Sequence, residues 1–142
     1  MALNTVMALG VGYSSTCSAA EIVALIGQVC DAHAIDLSEV KILATAAERA
    51  LGPQLIEAAE LLGLALVIPP EAKLRAAAPY CLSRSERVRE RFDLPSVAEA
   101  AALAAIPGAR LLGPRIRSAL ATCALAAISS GGRTERKKEE AP

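Results

Sequence analysis

The strongest constraint on how this chain folds is its opening unit. Leu3 to Val11 is an apolar run of strand length, Gly10-Val11-Gly12-Tyr13-Ser14-Ser15 is a glycine-punctuated turn, and Ser18-Ala19-Ala20-Glu21 is an S-x-x-E capping box. Behind the box, Ile22, Val23, Leu25, Ile26, Val29 and Cys30 recur at helical spacing, which predicts a helix from about Ala19 to about His33. Strand, glycine turn, helix is the start of an α/β unit. In such units ligands gather beyond the carboxyl ends of the strands, and a glycine turn at a helix N-terminus favours anions.

The alternation continues. Val40 to Thr45 and Leu64 to Ile68 read as further strands, separated by a helix that opens at Gly52-Pro53 and closes at Gly63. Glu71 to Ala78 suits a short helix. Two more capping boxes, Ser83-Arg84-Ser85-Glu86 and Ser96-Val97-Ala98-Glu99, start a helix toward Phe92 and an alanine-rich one that stops before Pro107-Gly108. Arg110 to Gly113 and Ser118 to Ile128 read as the last two strands. The expected fold is a single three-layer α/β/α domain over residues 1–128, with a mostly parallel or mixed sheet of about five strands. Residues 129–142 form a charged tail without a docking side chain, expected to be disordered.

Composition narrows the function. With 142 residues one core suffices; two Tyr, one Phe and no Trp leave almost no platform for base stacking, so no nucleic acid partner is expected. No apolar run reaches a membrane span and no signal peptide is apparent, so a cytoplasmic protein without a membrane partner is expected. Cys17, Cys30, Cys81 and Cys123 show no C-x-x-C pair and His33 is the sole histidine, so no metal site and no cofactor is expected. The charges are segregated. Seven acidic residues against two basic ones give −5 up to Glu60, whereas seven arginines against four acids give +3 from Arg84 to Arg117. An arginine-rich half suits an anionic partner, and equally a solvated helix with internal charge pairs.

Three familiar motifs are excluded. A dinucleotide fingerprint lacks its third glycine, replaced by Ser15, and its acidic residue, Asp36, precedes the second strand. A P-loop lacks Gly-Lys-Ser/Thr, and a serine triad lacks G-x-S-x-G. Glu48, just after the second strand, is placed to act as a general base or to stand as a solvated loop residue.

The segments together resemble the CobE/CbiG C-terminal family of cobalamin biosynthesis. The resemblance rests on Leu9-Gly10-Val11-Gly12, Ala44-Thr45 with Leu51-Gly52 and Ala58-Ala59, Leu62 to Leu66, SRSERV at Ser83 to Val88, SVAEAAAL at Ser96 to Leu103, and Thr122 to Ala126. It implies a protein of the aerobic pathway that binds or handles a precorrin or corrinoid intermediate near ring contraction. The alternative it implies is a hydrolase that opens a precorrin lactone and releases acetaldehyde, as the longer CbiG proteins do, with Glu48 as the catalytic carboxylate; whether the chain is an enzyme stays open. The family turn commonly reads G-x-G-C-R where this chain has Tyr13-Ser14, so no cysteine or arginine role carries over there. After the second strand Arg49 takes the place of a family lysine.

A precorrin is a flat macrocycle fringed with carboxylates, so its binder needs several cations or N–H donors around an apolar shelf. The expected ligand-binding residues are Gly12, Ser14, Ser15 and Thr16 at the turn, Thr45 and Arg49 after the second strand, Ser83, Arg84, Ser85 and Arg87 at a helix start, and Arg115 and Arg117. Other corrin-pathway enzymes and a second copy of the chain remain open as partners.

Overall fold

The computed structural model describes residues 5–46, 52–86 and 94–129. Its centre is a nine-residue strand, β1 (Thr5–Tyr13), paired along its whole length with an equally long antiparallel strand, β6 (Ala121–Ser129). On the other side β1 runs parallel to β2 (Val40–Ala44), and β2 parallel to β3 (Ala65–Val67). Two two-residue strands, β4 (Arg110–Leu111) and β5 (Ile116–Arg117), pair antiparallel with the far edge of β6. The sheet has six strands in the order β3-β2-β1-β6-β4, with β5 also beside β6. It is therefore a mixed sheet with one strand more than expected, because β5 is too short to leave a periodic signal. Ser129, expected at the head of the tail, closes β6 opposite Thr5, and residues 130–142 lie outside the described residues.

Helices cover both faces. On one face lie α1 (Ala19–Ala32) and α2 (Pro53–Leu62), which close over Met7, Leu9, Val11 and Tyr13 of β1 and over Cys123 and Leu125 of β6. Leu9, Ile22, Leu43 and Leu55 are fully buried there, each worth about 1.5–3 kcal/mol relative to exposure. The other face carries α3 (Glu71–Ala77) and α4 (Val97–Ala105).

The second face is built from small residues. Ala98, Ala100, Ala101 and Ala102 of α4 are completely buried, and the helix backbone lies directly on β1 at Gly10. A Cβ placed on Gly10 would collide with the carbonyl oxygen of Ala98 and come within 2.6 Å of the Ala102 nitrogen. At Gly12 it would meet Thr122 Oγ1 at 3.2 Å and Val97 Cβ at 3.4 Å. The glycines of the opening turn thus first of all seat α4 on the sheet. Gly63 ends α2 in the left-handed conformation (φ 70°), as its place after the last helical residue predicts. Among the described residues no helix is long and apolar enough to cross a membrane.

Candidate functional site

The carboxyl end of β1 is assembled from four segments. Tyr13 leads into the turn, whose Ser14 N–H donates to the Leu120 carbonyl at 2.9 Å and whose Ser14 carbonyl accepts from Cys17 N–H at 3.0 Å. Gln54, in the first turn of α2, donates through Nε2 to the carbonyls of Ser15 (3.2 Å) and Cys17 (3.1 Å). Ser14 and Thr16 share a hydroxyl hydrogen bond of 3.0 Å, and Ser15 and Thr16 are exposed. The next helix N-terminus is already occupied by its own side chains. Ser18 Oγ accepts from Glu21 N–H at 3.1 Å, and Glu21 Oε1 accepts from Ser18 N–H at 2.8 Å. A carboxylate from the chain thus stands where the helix dipole would favour an anion.

Thr45 is fully buried, and its hydroxyl donates to the Val11 carbonyl at 2.6 Å, tying the ends of β1 and β2 together. Gly12 lies beneath Val97 and accepts at 3.5 Å from the hydroxyl of Thr122. Asp36 caps the short turn before β2 by accepting from Ser38 N–H at 3.0 Å, which holds its carboxyl below the usual range. Glu48, Arg49 and Arg87 lie outside the described residues.

The second half of the chain meets this end through one carboxylate. Ser96 caps α4 as predicted, its Oγ accepting from Glu99 N–H at 3.2 Å. The Glu99 side chain, fully buried, does more than complete a cap. Its Oε1 accepts from the backbone N–H groups of Leu82 (2.7 Å) and Ser83 (2.8 Å), and its Oε2 accepts from the Ser83 hydroxyl (2.7 Å) and the Arg115 N–H (2.8 Å). Four donors from two segments satisfy both oxygens, which is what a buried carboxylate requires. Ser85 N–H, donating to the Pro95 carbonyl at 2.8 Å, adds a further clasp.

Glu99 therefore draws together Ser83 and Arg115, with Arg84 following Ser83 in the chain, while Arg117 stands opposite Thr122 across the β5–β6 pair, two strands from Gly12. Among the described residues none of these three guanidinium groups has an ion-pair partner. Their charges reach Cys81: burial and the Glu99 carboxylate push its thiol up to about 11, against a smaller opposing pull from Arg84 and Arg115. The expected ligand residues thus fall into a pair held by Glu99 (Ser83 and Arg115) with Arg84 next to it in the chain, the turn residues Gly12, Ser14, Ser15 and Thr16, Arg117 on β5, and Thr45, which faces inward. Sequence reasoning missed Gln54, Leu120 and the larger role of Glu99. The available signal was Glu99 itself, a lone carboxylate in the otherwise apolar segment VAEAAALAA. Among the described residues no three of His, Cys, Asp or Glu gather as a metal site.

Comparison with known proteins fits this architecture. A family model described as cobalamin synthesis G C-terminus matches residues 7–126. The crystal structure of CobE, a protein from the cobalamin (vitamin B12) biosynthetic pathway, superposes with a TM-score of 0.83 at 31% identity, over 90% of this chain and 94% of that one. The cobalamin biosynthesis protein chiG from Agrobacterium tumefaciens gives 0.66 at 32% identity, over 84% and 96%. A putative cobalamin biosynthesis protein G homolog from Sulfolobus solfataricus shares the fold at 20% identity (TM-score 0.66), with 36% of its length covered. A search of curated proteins by sequence found no match. With the family model spanning most of the chain, the protein belongs to the cobalamin synthesis G C-terminus family.

Proposed function

We propose that this protein serves cobalamin biosynthesis by binding a precorrin or related corrinoid intermediate near ring contraction, in the cytoplasm and on the aerobic pathway, and passing it to other enzymes of the route. The observation that carries the reading is the buried Glu99 carboxylate, which fixes the backbone at Ser83 and Arg115 and so brings Arg84 and Arg115 to one region, where both act on Cys81 and neither has an ion-pair partner among the described residues. Paired arginines on a fixed backbone suit the carboxylate fringe of a macrocycle, because each forks onto a carboxylate without first breaking an internal ion pair. Arg117 at the same end supplies a third cation.

The test is a titration of the purified protein with hydrogenobyrinic acid, followed by the pigment's absorption. Saturable binding with unchanged pigment, weakened about tenfold or more in Arg84→Ala/Arg115→Ala, is expected, since charge-assisted hydrogen bonds are worth about 1.5–3 kcal/mol each. The backbone bond from Arg115 to Glu99 survives that substitution, so the fold is retained. Absence of binding overturns the reading. Incubation with a precorrin lactone that releases acetaldehyde, with release lost in Glu48→Ala, replaces it with a lactone hydrolase.

A further inference from the structure

Between α3 and α4 lies an open groove of about 550 Å³, within the roughly 300–1,000 Å³ of typical small-molecule sites. Its apolar floor includes Ala77, Leu103 and Ala104; Tyr80 forms one wall with 71% of its surface exposed; Lys73 and Arg110 also line it, and no acidic side chain does. On the short helix that carries Lys73, Glu71 is engaged by Arg75 at 2.7 Å, so among the described residues Lys73 and Arg110 have no ion-pair partner. An exposed aromatic ring beside an apolar floor, flanked by two cations without an ion-pair partner among the described residues, is complementary to a flat conjugated molecule that carries carboxylates. The groove is also continuous in sequence with the arginine edge. Tyr80 is followed, after Cys81, by Leu82 and Ser83, which Glu99 clasps, and by Arg84.

We propose that this groove seats the apolar face of a carboxylated tetrapyrrole, with Tyr80 against the conjugated ring and Lys73 and Arg110 on carboxylates remote from those held by Arg84 and Arg115. The inference rests on the binding function above and extends it to a second set of contacts. No family motif among those that carry the resemblance includes Lys73, Tyr80 or Arg110.

The experiment titrates the full chain with hydrogenobyrinic acid in four forms: wild type, Ala76→Trp, Lys73→Glu/Arg110→Glu and Arg84→Ala/Arg115→Ala. Ala76 is exposed on α3 beside the groove, so a tryptophan there obstructs the groove without entering the core, and Lys73 and Arg110 are exposed as well. Both groove variants are expected to weaken binding about tenfold or more, with circular dichroism and urea midpoint unchanged. Wild-type affinity in both groove variants, with loss only in the Arg84/Arg115 variant, overturns the groove and leaves the binding function standing. Failure of the wild type to bind overturns both. Should Ala76→Trp fail to fold, the charge-reversed pair decides alone.

Discussion

At the scale of single residues the molecule turns on Glu99. A carboxylate that accepts four hydrogen bonds from Leu82, Ser83 and Arg115 while fully buried leaves several polar groups stranded if it is removed. Glu99→Ala is expected to lower stability by about 3 kcal/mol or more, and Glu99→Gln by about 2 kcal/mol, because an amide NH₂ faces donors where an acceptor stood. Urea unfolding of the two variants checks this. After burial, the same carboxylate is the next cause that raises the thiol of Cys81. With its thiol pushed up to about 11, alkylation by iodoacetamide at pH 8 should run about a hundredfold below that of an ordinary cysteine. Glu99→Gln removes one of the causes and should move the rate profile to lower pH, which mass spectrometry of the modified peptide follows. The sequence exposed Ser96 and Glu99 as a cap, and the cap exists. It could not show that the carboxylate also reaches residues 16 and 17 positions away, since those contacts depend on how the loops before and after α4 return to its first turn. For the same reason Arg84 and Arg115 were legible as cations and illegible as neighbours.

At the scale of elements the decisive contact is α4 on β1. Gly10 and Gly27 make a matched pair. A methyl group at Gly10 meets the α4 backbone, whereas at Gly27, exposed in the middle of α1, it meets nothing within 4 Å. Gly10→Ala should destabilise the protein by about 2–3 kcal/mol through overpacking, and Gly27→Ala should stabilise it by about 0.5–1 kcal/mol through helix propensity. Thermal melts of the two single variants test the sign of each. The capping box, the proline opening α2 and the glycine closing it were all readable, because each is a local pattern whose physics lies within a few residues. The opening glycines were legible as a turn signal, yet their work is to admit a helix from eighty-odd residues downstream, a relation that no local window contains. β5 escaped for the opposite reason. Two residues long, it exists only because β6 offers an edge.

At the scale of the whole molecule, a long antiparallel pair of central strands separates two unlike cores, one of large aliphatic side chains beneath α1 and α2 and one of alanines beneath α4. Cysteines occur in or beside both, and burial is the largest cause in raising the thiols of Cys17, Cys30, Cys81 and Cys123 above their ordinary value of 9.0. The effect on stability follows by linkage. Between the unfolded value near 9.0 and the raised native values, the folded chain holds thiol protons that the unfolded chain has released, so stability falls as pH rises through that window and is unaffected by these groups below it. The urea midpoint should therefore be level from about pH 7 to 8.5 and decline by pH 10, in reducing buffer so that oxidation does not intervene. Cys123, fully buried at the centre of β6 and further raised by the neighbouring Cys30, should contribute to the decline together with Cys81. Cys123→Ala removes that thiol at a modest packing cost present at every pH, and it should flatten the alkaline slope while shifting the whole curve down. A decline of unchanged steepness in Cys123→Ala would show that this thiol is not a source of the alkaline loss.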